Sequence, residues 1–509
     1  MMIRPRPIGA AILALAILGS ACAAPVPAPQ RAGAVEPAKV AAAAATNRPA
    51  ANAASASPVA TTAPMEILGK FALAPTNGPW GTPVTASAVG LKPQARYDVV
   101  WTTVNGAWKL SEDRASYLGR TYTPAEIPLK TVTTDAAGGF SFQFAVPAKD
   151  FGFQHTILVR DEGGKIIRNK AGFDVDLEIS ISPKSGPVGT PITIEARGVG
   201  WRDFQGAWMA AYDNQFTGLL SAVTTKGLAR AVIRATGRPG THIITVLSGD
   251  LNFMYLNMQQ SPEPDRPQFH IPFTLTDGPA VLPPPVAQQT LPILPAKPVD
   301  QGIWVSPSSG IVGSPATLSG KALPANAEIT LTYLAQVGNR VTAAAFSEQG
   351  KPLGKSRTDA SGSFNWSFLL PDDLGGVHKI IAKVGDKVVA DTDFIVQPNA
   401  LPLTVERGPS GTKVTFHVKG VGWTETANFY ALTYDNGYLG YGCGFNSSGD
   451  VQITLSMSGD KGWHFIDLYP GLYKGIETRP LNFRIPQLTA PDDHPGENLP
   501  VFHYAFYID

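Results

Sequence analysis

Only two cysteines, Cys22 and Cys443, occur in 509 residues. Two cysteines cannot supply a disulfide framework, and Cys443 is expected to be buried. Charge is also scarce: 16% of residues are charged, with Lys+Arg 41 against Asp+Glu 40 and a net charge of +1. No basic field exists to hold nucleic acid or an anionic membrane surface. Catalytic signatures are missing as well, since no H-E-x-x-H, G-x-S-x-G, P-loop or Rossmann glycine pattern occurs. No amphipathic helix stands out, no EF-hand-like run supports a metal, and nothing points to a cofactor. The one long apolar run, Ile8 to Leu18, is too short to span a bilayer.

What is present is a low-charge, ordered composition. Hydrophobic residues make up 44%, and 51 glycines with 45 prolines suit many short strands joined by turns. Arg4 and Arg6 before the apolar run mark residues 1–22 as an export signal. Its end, Leu18-Gly19-Ser20-Ala21-Cys22, resembles a bacterial lipoprotein signal, which implies lipidation at Cys22 and a membrane anchor there. Gly19 departs from the large aliphatic residue usual at its position, and cleavage after Ala21-Cys22-Ala23 would instead free the protein. Residues 23–64 are Ala- and Pro-rich, too poor in large apolar groups to fold, and read as a stalk. Extended at about 3.1 Å per residue it would reach on the order of 100 Å. A second Pro-rich stretch, 277–300, reads as a linker dividing the folded part into two halves.

One pattern occurs four times: GPWGTPVT from Gly78, GPVGTPIT from Gly186, GIVGSPAT from Gly310 and GPSGTKVT from Gly408. A repeat at this spacing means tandem modules. The first and third share T-D-A-x-G-x-F at Thr134 to Phe140 and Thr358 to Phe364. The second and fourth share Gly-Val-Gly-Trp ending at Trp201 and Trp423, then Tyr-Asp-Asn at Tyr212 and Tyr434, Leu-Asn at Leu256 and Leu481, and F-H-x-x-F at Phe269 and Phe502. The order is A, B, linker, A, B: 65–176, 177–276, 301–398 and 399–509.

Period-2 runs such as Phe140, Phe142, Phe144 and Phe364, Trp366, Phe368, punctuated by Gly, Pro and Asp turns, make the fold all-β. Each module is expected to be an antiparallel β-sandwich. The G-x-x-G-T turn, the T-D-x-x-G-x-F hairpin and the later G-x-H-x-I strand resemble the immunoglobulin-like modules of bacterial surface proteins, of the IPT/TIG or filamin-like type. That resemblance covers residues 66–509 and implies fold and surface display, while members of the family differ widely in ligand.

His155, His242, His378 and His464 occupy one equivalent slot and read as structural, filling a corner position that often carries a hydrogen-bonded tyrosine. His417 reads as a surface strand position. Function belongs with what only the B modules share. Candidate ligand-binding residues are Tyr212, Asp213, Asn214 and His270 in the first B module. In the second they are Tyr434, Asp435, Asn436, Tyr438, Trp463 and His503. For Asn436-Gly437 a tight hairpin turn is the competing reading. The loops SPEPDRPQ from Ser261 and TAPDDHPGENLP from Thr489 are either binding elements or tolerated insertions. The last module is rich in rings, and alternation places about half of Phe429, Tyr430, Tyr438, Tyr441, Trp463, Tyr469, Tyr473, Tyr504 and Tyr507 in its core. Rings beside Asp, Asn and His are what sugars need, and protein ligands use the same residues.

These readings converge on an exported, lipid-anchored surface or periplasmic protein, or a freely secreted one, with a non-catalytic role in adhesion, envelope architecture or ligand capture. Its partner is a cell-wall or extracellular glycan, or a protein. The alternative is a carbohydrate-active hydrolase, or its binding accessory, using Asp435, His464, Asp467 and His503, or an acidic calcium loop at Asp492, Asp493 and Glu497.

Overall fold

The structure, a computed structural model, describes residues 70–509 apart from 113, 203, 250–253, 261–265, 339–345, 472–484 and 497. The expected signal sequence, Cys22 and the stalk lie outside the described residues, as do Leu481, Asn482, Tyr473 and Glu497.

The G-x-x-G-T/S repeat is a turn with a fixed chemistry. The hydroxyls of Thr82, Thr190, Ser314 and Thr412 each donate to the carbonyl three residues back, at 2.8, 2.6, 2.7 and 2.6 Å. The second glycine takes φ between +78° and +93°, which only glycine adopts without strain. A Cβ on the first would lie 2.5 or 2.6 Å from that same hydroxyl oxygen. The turn thus needs both glycines and the hydroxyl. It also sets the next strand, which starts on the residue after the hydroxyl.

Every repeat builds one three-stranded and one five-stranded sheet. In the first module the smaller sheet runs Lys70–Ala74, Pro83–Val89, Phe140–Ala145. The larger runs Asn77–Gly78, Ile166–Val175, Phe153–Asp161, Arg96–Leu110, Tyr117–Thr133. The other three repeat this order, and no α-helix occurs among the described residues. Pairing is antiparallel except that the short strand at the first glycine pairs parallel with the last strand of its module. Such a strand order is immunoglobulin-like. Between the sheets sit separate apolar cores, for instance Val84, Tyr97, Trp101 and Phe173 in the first module and Phe416, Tyr430, Leu468 and Phe506 in the last. Full burial of the aliphatic and phenylalanine side chains among them, such as Val84, Phe173, Leu468 and Phe506, contributes roughly 1.5–3 kcal/mol each.

Hairpin length separates the A modules from the B modules. The A hairpins pair 15 with 17 residues and 10 with 11, and the B hairpins only 5 with 6 and 6 with 7. The long A hairpins reach onto the following B module. Tyr122 lies 5.7 Å from Trp201, and Phe346 lies 5.3 Å from Trp423, ring centre to ring centre. Gly-Val-Gly lies at the same junctions, where the amides of Gly152 and Gly375 donate to the carbonyls of Val199 and Val421, both at 3.1 Å. This shared B motif is therefore occupied by the preceding A module.

The four recurrent histidines each place Nε2 at 2.7–2.9 Å from the carbonyl four residues earlier, tying the turn to its strand. His417 is half-buried and bonded to Asp450. Cys443 is also half-buried, not buried, because it ends the short edge strand Gly437–Cys443.

The Pro-rich stretch is held along its length. The Val281 amide donates to the Val188 carbonyl, and Val286 joins the core of the last module. Gln289 exchanges two hydrogen bonds with the backbone of His503, at 2.7 and 2.9 Å. Further on, Gln397 donates to the Pro292 carbonyl.

Candidate binding cleft between the B modules

The Tyr-Asp-Asn triplet is a two-residue hairpin turn in both copies. Asp213 and Asn214 take φ of 48° and 65°, Asp435 and Asn436 47° and 68°, while Tyr212 pairs with Gln215 and Tyr434 with Gly437. The turn is therefore centred on Asp-Asn, not on Asn436-Gly437, which accounts for its survival where Gln215 replaces glycine. Each tyrosine hydroxyl donates back across the sandwich, Tyr212 to the Thr236 carbonyl and Tyr434 to that of Ser458. Burial pushes both phenols above their ordinary pKa.

Each turn aspartate clamps the recurrent histidine. Asp435 Oδ2 lies 2.6 Å from His464 Nδ1, and Oδ1 accepts from the Phe465 amide at 2.9 Å. Asp213 makes the same pair of contacts to His242 and Ile243. Burial pulls the His464 pKa down, but the Asp435 bond and charge with the Asp460 carbonyl outweigh it, and the net shift is upward.

The two B modules pack against each other. Strands Trp208–Tyr212 and Phe429–Tyr434 are consequently buried on both faces rather than alternately. Asn436, 1% exposed, inserts into the first B module, donating from Nδ2 to the Arg234 carbonyl at 2.8 Å and to Thr236 Oγ1 at 3.2 Å. Its counterpart Asn214 is exposed. Tyr438 meets Phe216 edge-on, and Arg234 sits over the Phe465 ring.

Along this seam lies a cleft of about 600 Å³ lined by both modules. Four candidate residues come together there: Tyr212, Asp213, Asp435 and Trp463. Arg238, Asp460, Lys461, Gln215 and Ser458 also line it and were not singled out from sequence. Trp463 is half-buried and packs edge-on against Tyr507 at 5.2 Å, with Arg407 stacked on the far ring. A shallower groove of about 380 Å³ beside the cleft is lined by Tyr434 and Tyr438. His270 and His503 line neither space. His270 is exposed and bonded to Thr245, while His503 Nδ1 pairs with buried Asp467 at 2.6 Å on a face crossed by Gln289. Of the eight described rings in the aromatic set, Phe429, Tyr430, Tyr469 and Tyr504 are buried. Phe429 and Tyr469 are so because the B sheet's outer face is covered, since Tyr469 belongs to the core cluster of the first B module.

The acidic loop of the last module is also used internally. Asp493, 1% exposed, accepts from Ser221 Oγ, from the amides of Val223 and Thr224, from Thr224 Oγ1 and from Trp108 Nε1, at 2.7–3.0 Å. Three modules therefore meet on one carboxylate. No group of three or more metal-ligating side chains gathers among the described residues.

No family model and no curated protein matches this chain. Solved structures overlap it only loosely. A Salmonella alpha-2-macroglobulin reacted with methylamine aligns at 9% identity and a TM-score of 0.18, over 87% of this chain and 31% of that one. A tetra-tandem repeat from the extending region of a large adhesion protein aligns at 10% and 0.17, over 86% of this chain and all of that one. A putative membrane anchored protein from Corynebacterium diphtheriae aligns at 13% and 0.17, over 64% and 88%. The chain spans about 31% of the macroglobulin's length. The fold assignment rests on the strand order.

Proposed function

We propose that this is an exported bacterial surface protein, anchored through a lipid on Cys22, that captures a glycan non-catalytically in the cleft between its two B modules. The observation that carries the reading is that Tyr212, Asp213, Asp435 and Trp463, spread over about half the chain, line one cleft. Its volume falls in the range of small-ligand sites, roughly 300–1,000 Å³. Trp463 offers a ring for sugar C–H faces, and Lys461, Gln215 and Ser458 offer hydrogen-bonding groups around it. A binding role fits the fate of the acidic groups better than hydrolysis does. Asp213 and Asp435 are committed to histidines, both ring nitrogens of His464 are engaged, and the Asp467–His503 pair lies outside the cleft.

The test is titration of the whole protein against glycan and cell-wall polymer panels, with Trp463→Ala and Lys461→Ala beside wild type. Loss of about tenfold or more in affinity with Trp463→Ala is expected; no binding to any panel member, or binding indifferent to both changes, removes the glycan reading. Anchoring is checked separately by labelled lipid incorporation, which Cys22→Ala should abolish.

A further inference from the structure

A second cavity, of about 720 Å³, opens at one end of the first A module, and the glycan reading makes no use of it. Three cations line it: Lys92 from the turn after Pro83–Val89, Arg96 at the start of the long hairpin, and Lys165 from the turn after Phe153–Asp161. None of the three pairs with a carboxylate among the described residues. Thr133 adds a hydroxyl, and buried Tyr97 forms the floor. Two acids share the lining, Asp161 and Glu162. One oxygen of Asp161 is committed to its own turn, accepting from the Lys165 amide at 2.9 Å.

The second A module, which repeats the same strand order, shows that the fold does not require this charge. Thr134 Oγ1 donates to the Lys92 carbonyl as Thr358 Oγ1 does to that of Pro324, so Lys92 corresponds to Pro324. Ala95 and Ala327 donate their amides to the same two threonines, so Arg96 corresponds to Glu328. Glu328 is neutralised there by Lys355 at 2.7 Å. The second A module thus carries a proline and a paired acid where the first carries two unpaired cations. Lys70 pairs with Val89, which brings the N-terminal end of the described chain to this same end of the module.

We propose that this pocket binds phosphate-bearing ligands, with Arg96 as the forked donor and Lys92 and Lys165 as flanking point charges. The charge is local: a chain of net charge +1 has no general attraction for polyanions, so binding has to come from this one constellation.

The experiment uses the full chain and two probes, polyglycerol phosphate in solution and phosphatidylglycerol vesicles, each at low and at physiological salt. A triple variant, Lys92→Gln with Arg96→Gln and Lys165→Gln, is compared with wild type and with Lys355→Gln in the second A module. Binding to at least one probe, weakened by on the order of 100-fold in the triple variant and unchanged in the control, is the expected result. Binding to vesicles alone identifies a lipid headgroup as the source, and binding to the polymer identifies a free phosphate chain. Equal binding by wild type and triple variant, or no binding to either probe, overturns the proposal. Unchanged thermal unfolding of the triple variant shows that its loss is not misfolding.

Discussion

Arg238 and Asp460 occupy the same position in the two B modules, each four residues before the recurrent histidine, and they form an ion pair 2.8 Å apart across the module seam. Gln215 and Gly437 are likewise equivalent and likewise meet, since a Cβ on Gly437 would lie 2.4 Å from Gln215 Oε1. Two identical modules would set like charges and two bulky side chains against each other here. The differences between the two modules at these positions make the seam complementary. Asp460→Arg should therefore cost up to about 1 kcal/mol, the scale of an exposed pair, and Arg238→Asp in the same chain should restore it. A double-mutant cycle by denaturant unfolding at low and high salt measures this, with the effect shrinking at high salt.

Asn436 gives a larger effect at the same seam. Asn436→Gly keeps a residue suited to positive φ but leaves the buried Arg234 and Thr236 groups without their partner. A loss of about 1–3 kcal/mol is expected, against a few tenths for Asn214→Gly at the exposed counterpart. Chemical denaturation of the two variants side by side provides the comparison.

Asp493 joins the first A hairpin and both B modules. Asp493→Ala strands several buried donors at once, and a loss of about 3 kcal/mol or more should follow. Trp108 loses its indole partner in the same variant, so its fluorescence should change in the native state. The hairpin region, residues 96–133, should also exchange amide hydrogens faster, while the second A module stays protected.

His464 makes stability depend on pH. Its folded pKa lies above the ordinary value of 6.5, so the stabilisation it adds is complete below that value and is lost as pH rises through the raised folded pKa. Thermal unfolding should therefore show the last module weakening above about pH 6.5. The corresponding slope should be reduced in His464→Gln, and a wild-type slope of the opposite sign would contradict the Asp435 clamp.

How much was readable beforehand depends on the range of the interaction. The G-x-x-G-T turn, the T-D-x-x-G-x-F hairpin and the histidine slot involve partners a few residues apart or inside one sandwich, and their spacing stands in the sequence. The same is true of Tyr212 and Tyr434, although the turn between them and the next strand is Asp-Asn rather than Asn-Gly. Gly-Val-Gly-Trp was visible as a shared motif, but its partner, the A hairpin, was not. The clue that could have exposed the seam was the exchange of Arg238 for Asp460 at one repeated position.

The sequence by itself determined four modules of two kinds and the all-β fold, because turn chemistry and period-2 burial are local and recur with each repeat. Only the tertiary structure decided that the outer faces of the B sheets are covered, that Asn436 is seated while Asn214 is exposed, and that Tyr212, Asp213, Asp435 and Trp463 share one cleft. Those facts depend on how whole modules dock. Docking is set by summed surface complementarity between segments up to hundreds of residues apart, and no residue spacing along the chain encodes it.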